Sequence, residues 1–142
     1  MAGFFSSEGE RRILASYFDQ QVSDIYIGLY QNDLTPDGET VWGDLVEATF
    51  SGYARVNPAS WTDSHDAEPS PGELVPDGEV VFTHNGGATD NDIYGMFVIH
   101  FAGGPITLLY SERFPVVPLA IENLGDNIEL DVTLRLRDAA EA

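Results

Sequence analysis

Ile128-Glu129-Leu130-Asp131-Val132-Thr133-Leu134-Arg135-Leu136 decides the fold class. Aliphatic residues alternate along it with charged or hydroxyl residues. Side chains on a strand point to opposite faces with a period of two, so this stretch predicts a strand with one buried and one wet face.

Working outward, Gly125-Asp126 predicts the turn that leads into it. Ile106 to Phe114 predicts the preceding strand, and Ala102-Gly103-Gly104-Pro105 the hairpin-like turn before that. Ile93 to Phe101 is long and almost entirely apolar, as expected of a strand near the centre of a sheet. Val80-Val81-Phe82 predicts another strand, followed by a turn at Asn85-Gly86-Gly87. Residues 63–79 hold three prolines and two glycines between 69 and 78 and predict an exposed loop without regular structure. Trp61 lies in a short extended piece. Phe50 to Val56 predicts a strand entered through a bend at Gly52. Residues 41–50 fit either a short helical turn or a loop that packs Trp42 inward. Pro36-Asp37-Gly38 predicts a turn, and Ile25 to Tyr30 a strand at least half-buried on both faces.

Only the N-terminus follows a helical period. Ser7 and Glu10 fit a capping box, and Ile13, Leu14, Tyr17 and Phe18 share one helix face. Gln20-Gln21 closes that helix. About seven strands after one helix predict an all-β fold, an antiparallel β-sandwich of jelly-roll-like type with one short N-terminal helix. The expected division is a helical segment at 1–22, a β-sandwich domain at 23–137 and a tail at 138–142. The expected core includes Ile25, Ile27, Leu29, Met96, Val98, Leu108, Leu130, Val132 and Leu134.

Charge narrows the partners. The chain carries 24 acids against 6 arginines, a net charge of −18 over 142 residues, with no cysteine and no lysine. Such a field repels phosphate backbones and anionic lipid surfaces, so no nucleic-acid partner and no membrane partner is expected. No apolar stretch reaches the roughly 20 residues that span a bilayer. The acidity fits either a basic or cationic partner, or solubility in a salty medium.

Catalytic constellations are faint. His65 and His84 lie in or beside turns, His100 lies on an apolar strand, and no G-x-S-x-G elbow occurs. Asp90-Asn91-Asp92, Asp33/Asp37/Glu39 and Asp63/His65/Asp66/Glu68 offer oxygen ligands, but none has EF-hand spacing, and solvated acidic loops explain them better. Tyr26, Tyr30, Trp42, Tyr53, Trp61 and Tyr94 fit either a core or a sugar-stacking platform. Arg55, isolated among acids, is expected to be paired. No catalytic residue, metal ligand set or cofactor is assigned.

The order of segments resembles small virion proteins of tailed bacteriophages, the capsid decoration (cement) and tail-associated proteins. It is carried by Ile25-Tyr26-Ile27-Gly28-Leu29-Tyr30, a turn with Thr35-Pro36, Glu47-Ala48-Thr49-Phe50-Ser51-Gly52-Tyr53-Ala54-Arg55, Ile93-Tyr94-Gly95-Met96-Phe97-Val98 and Leu108-Leu109-Tyr110-Ser111-Glu112-Arg113-Phe114. It covers about residues 10–136. The resemblance implies a non-enzymatic structural protein on the outer capsid surface of the virion. Its expected partners are the major capsid protein and itself, as a homotrimer. The alternatives are a tail, neck or fibre component, a carbohydrate-binding module and an acid-catalysed hydrolase. Candidate partner contacts are Phe4, Phe5, Arg11 and Arg12, together with Val116, Val117 and Leu119, two apolar pieces outside the alternating strands. They fit equally as covers over the ends of a sandwich.

Overall fold

A computed structural model describes residues 7–63 and 73–135. One helix, α1 (Ser7–Gln20), precedes ten strands: β1 (Ile25–Tyr30), β2 (Trp61–Asp63), β3 (Glu73–Pro76), β4 (Val80–Thr83), β5 (Asn91–Ile93), β6 (Gly95–His100), β7 (Thr107–Arg113), β8 (Leu119–Ile121), β9 (Asn127–Leu130) and β10 (Leu134–Arg135). All strand pairs are antiparallel, in small sheets ordered β1-β6-β7, β10-β3-β2, β4-β9 and β5-β8. The described residues are therefore mostly strands in small antiparallel sheets with one α-helix, an all-β arrangement. Four of the pairs nest in the sequence: β6 with β7, β5 with β8, β4 with β9 and β3 with β10. Within Glu79–Leu130, β4 to β9 thus pair as successive nested arms about the turn at 102–105.

Contacts divide the chain into two units. One draws on Met1–Ser23, Pro58–Gly78 and Asp131–Ala142, the other on Asp24–Asn57 and Glu79–Leu130. This grouping differs from the linear division at 22/23, because 58–78 and the last strand belong with the helix.

In the first unit, α1 ends at Gln20, where the Gln21 amide donates to the Tyr17 carbonyl at 3.0 Å. Phe18 is buried and meets the Trp61 ring edge-on at 4.8 Å. Ile13 and Tyr17 stay exposed, so the buried part of the helix is narrower than its apolar period predicts. The expected loop at 63–79 contains β3, the central strand of its sheet. Proline density misleads here because Pro76 closes the strand, where a missing amide costs little. Leu74 lies opposite Leu134, and Glu73 opposite Arg135, with a 2.9 Å ion pair. One cross-strand pair is apolar and buried while its neighbour is charged, which fixes the register.

The second unit is built around β6, which lies between β1 and β7 and is buried from Gly95 to Ile99. Ile25, Ile27 and Leu29 are fully buried in β1, each removal from water contributing roughly 1.5–3 kcal/mol. Tyr30, Leu45, Phe97 and Ile99 form a buried cluster with Trp42 and Leu108 against it. Gly28 is required by close approach: a Cβ there would strike the Phe97 ring and the Tyr53 hydroxyl.

Several expected strands are cut. Residues 128–136 do not form one strand: β9 pairs with β4 and β10 pairs with β3, with 131–133 between them outside any strand. Burial still alternates, with Ile128, Val132 and Leu134 buried and Glu129, Asp131, Thr133 and Arg135 exposed. Leu136 lies outside the described residues. The period reports which face is wet, and the partner strand changes beneath it. Phe50 to Val56 forms no strand. The Tyr53 amide turns back to the Phe50 carbonyl at 2.9 Å, Gly52 takes φ +94°, and only Val56 bridges to Ile27. The expected strand at 93–101 is interrupted at Tyr94, whose amide donates to Tyr30 of β1. Residues 42–44 take the helical-turn alternative, as a short 3-10 helix. Of the expected core, seven residues are buried, while Leu108 and Leu130 are half-buried.

Candidate functional site

The most organised polar group in the second unit is Glu47, Tyr53 and Arg55. The Arg55 guanidinium grips the Glu47 carboxylate in a two-point fork, Nε to Oε2 at 2.8 Å and Nη2 to Oε1 at 2.8 Å. The Tyr53 hydroxyl donates to Glu47 Oε2 at 2.8 Å and accepts from the Leu29 amide of β1 at 3.2 Å. Glu47 itself bridges Tyr30, the last residue of β1. Arg55 also lies over the Trp42 ring at 5.6 Å and the Phe101 ring at 5.7 Å. Burial and the Glu47 carboxylate push the Tyr53 phenol well above its ordinary range. The hydrogen bond to Glu47 raises the Arg55 guanidinium, and burial only partly offsets it. The expectation that Arg55 is paired is met within the chain. Its partner was not legible in the sequence, where Glu47 is one acid among many.

His84 is buried at 1% exposure in a second polar group. Its Nδ1 accepts the Gly86 amide at 2.9 Å. Nε2 therefore carries the proton and faces the Thr89 carbonyl and Asp90 Oδ1, both at 3.1 Å. The Ser51 amide donates to the Thr89 carbonyl and the Asn85 amide to the Ser51 carbonyl, so both ring nitrogens are engaged in fixing loops. No hydroxyl nucleophile is among those partners.

The carbohydrate-platform alternative finds its rings packed. Tyr30 is fully buried and donates to the Leu34 carbonyl at 3.0 Å. Tyr53 stacks on Phe82 at 5.8 Å, Trp42 meets Phe97 edge-on at 5.0 Å, and Tyr94 lies beneath Arg113 at 5.5 Å. Trp61 is against Phe18 in the first unit. Among the described residues, no group of three or more His, Asp or Glu is placed to hold a metal ion. His65, Asp66 and Glu68 lie outside the described residues.

The expected contact residues divide between the units. Phe4 and Phe5 lie outside the described residues, as does the side chain of Arg11. Arg12 is exposed on α1. Val116 is 71% exposed, the largest apolar exposure in its stretch. Val117 is half-buried before a cis bond to Pro118. Leu119 is half-buried in β8, opposite Ile93. Leu119 thus belongs to a strand, although its stretch lacks a clean two-residue alternation.

A third feature was not foreseen. An open groove of about 290 Å³ runs along the edge strand β7, with Leu108 to Ser111 on one wall and Asp37, Gly38 and Thr40 on the other. The opposing turn is braced: Glu39 donates its amide to Asp37 Oδ1 at 2.8 Å, and the Asp37 amide donates to Thr40 Oγ1 at 2.9 Å. The turn at Pro36-Asp37-Gly38 and the strand from Ile106 were each legible, but not their approach to one another.

No helix among the described residues is long and apolar enough to cross a membrane. No family model, curated protein or solved structure matches the chain.

Proposed function

We propose that this chain is a non-enzymatic structural protein of a tailed-phage virion, a capsid decoration protein that docks on the outer lattice of the major capsid protein. The observation that carries the reading is the place of the segments behind the resemblance. Ile25–Tyr30, Gly95–Val98 and Leu108–Arg113 are neighbours in one sheet, as β1, β6 and β7. Glu47 to Arg55 lies along the outer side of β1, through the Glu47 bridge and the Tyr53 hydrogen bond. Four stretches scattered over the sequence thus make one structural body, and Tyr53 and Arg55 serve it as a clamp. The nested antiparallel pairing of β4 with β9, β5 with β8 and β6 with β7 inside the second unit supports a jelly-roll-like sandwich. Docking through Val116 and the N-terminal segment, and assembly as a closed trimer at three-fold positions of a shell, complete the proposal.

Cryo-electron microscopy of the intact particle tests it. The reading expects this chain's density over the outer shell at repeated lattice positions, contacting capsid protein. Density confined to the tail, neck or fibres would replace it with the tail reading.

A further inference from the structure

We propose that β7 is a docking edge for an extended, lysine- or arginine-rich segment of a partner protein, which adds to the β1-β6-β7 sheet as a fourth strand. The inference stands on the geometry of this edge and does not depend on the capsid reading.

The sheet has two outer strands, and they differ. The far side of β1 is occupied: Ile27 exchanges backbone hydrogen bonds with Val56, and Leu29 and Gln31 bond to Ala48 and Val46. Among the described residues, β7 has only β6 beside it. The Phe114 amide donates to Tyr94 across the β6–β7 side at 2.9 Å. With the two-residue alternation of an antiparallel ladder, the backbone amides and carbonyls of Arg113 and Ser111 then point outward. Among the described residues, nothing takes up those groups in a hydrogen bond. A one-residue register shift leaves Leu109 opposite nothing in β6, so the regular template runs from Tyr110 to Arg113.

Soluble proteins blunt such edges with charged side chains, proline, β-bulges or a covering segment. Thr107–Arg113 holds neither lysine nor proline, its bulge at Leu109 lies outside the Tyr110–Arg113 stretch, and the Arg113 charge is bound to Asp33. Beside it lies the groove walled by Asp37, Gly38 and Thr40. At about 290 Å³ it is open along one side and does not enclose a ligand as small-molecule pockets do. It suits a strand laid along an edge.

Charge selects the occupant. Asp37, Glu39 and Glu112 are exposed near the edge, and the Arg113 guanidinium is already bound to Asp33 at 2.6 Å. A second copy pairing edge to edge here would set Glu112 and Asp37 against their own equivalents. A basic extended segment gains attraction where a second copy meets repulsion.

The test uses the full chain, labelled for amide NMR, with two capped heptapeptides: one alternating lysine with valine, and its glutamate counterpart. The proposal expects the Ser111 and Arg113 amides to exchange rapidly in the free protein. The lysine peptide should slow both, the glutamate peptide neither, and added salt should weaken the effect. Ser111→Pro removes an outward amide and leaves the β6 bonds in place, so binding should weaken about tenfold. Amides already protected in the free protein would show that this chain covers its own edge. Protection that grows with protein concentration would point to a second copy. Either result, or equal binding of both peptides, overturns the proposal. Should Ser111→Pro fail to fold, the wild-type exchange map decides alone.

Discussion

Removing Arg55 is expected to loosen the second unit by about 2–3 kcal/mol, and the figure follows from how the pair is placed. An exposed ion pair contributes about 0–1 kcal/mol, whereas truncating one partner of a buried pair costs about 3–5 kcal/mol. The Arg55 and Glu47 side chains are each 23% exposed, between those limits and nearer the second. The fork geometry adds two charge-assisted bonds, and Arg55→Ala also strips cover from Trp42 and Phe101. A double-mutant cycle with Glu47→Ala isolates the pair and should give a coupling of about 2 kcal/mol. Urea unfolding followed by Trp42 fluorescence, in a Trp61→Phe background, reports the second unit by itself. Trp42 is well placed for this, since it touches both Phe97 and the guanidinium. Arg55→Lys should recover less than half of the coupling, because an ammonium cannot reproduce the fork. A coupling below about 0.5 kcal/mol, the level of ordinary surface substitutions, would refute the clamp.

Leu74→Ala should cost roughly 3–4 kcal/mol in the first unit, while Leu130→Ala, at a half-buried position, should cost about 1–2 kcal/mol; equal losses in urea melts would contradict the assigned burial. Gly28→Ala should cost about 3 kcal/mol, because a Cβ meets the Phe97 ring and the Tyr53 hydroxyl at once, and a neutral result would show that β1 lies farther from both. Acid sensitivity has a definite sign. The Ser60 and Thr62 hydroxyls hold the Asp77 carboxyl below its ordinary 3.8, and the Glu122 and Asn123 amides do the same for Asp126. Groups lowered by folding contribute fully above the unfolded value and lose that contribution as pH falls through the lower folded value. Between about pH 5 and about pH 2 the wild type should therefore lose stability more steeply than an Asp77→Asn/Asp126→Asn variant, with parallel curves as the contrary result.

The period-two signal was legible wherever one face is buried. Ile128 to Arg135 keeps its alternation even though its two halves pair with different strands, because burial is a local property and pairing is not. Proline and glycine content hid β3, since composition cannot tell a proline inside a strand from one that ends it. Gly52 was readable as a bend, but the chain beyond it is held by side chains, Tyr53 and Arg55 on Glu47, instead of a ladder. That clamp depends on a contact eight residues apart in a non-repeating geometry, which no period encodes. The β7 groove was hidden for the same reason: its walls are about seventy residues apart in the chain and each reads as ordinary turn or strand.

The proposal that this chain coats a capsid is tested most directly by its copy number in purified virions, measured by quantitative mass spectrometry against the major capsid protein. A decoration protein should be present in amounts commensurate with the shell subunits it covers. A handful of copies per particle would contradict the account and assign the chain to the tail.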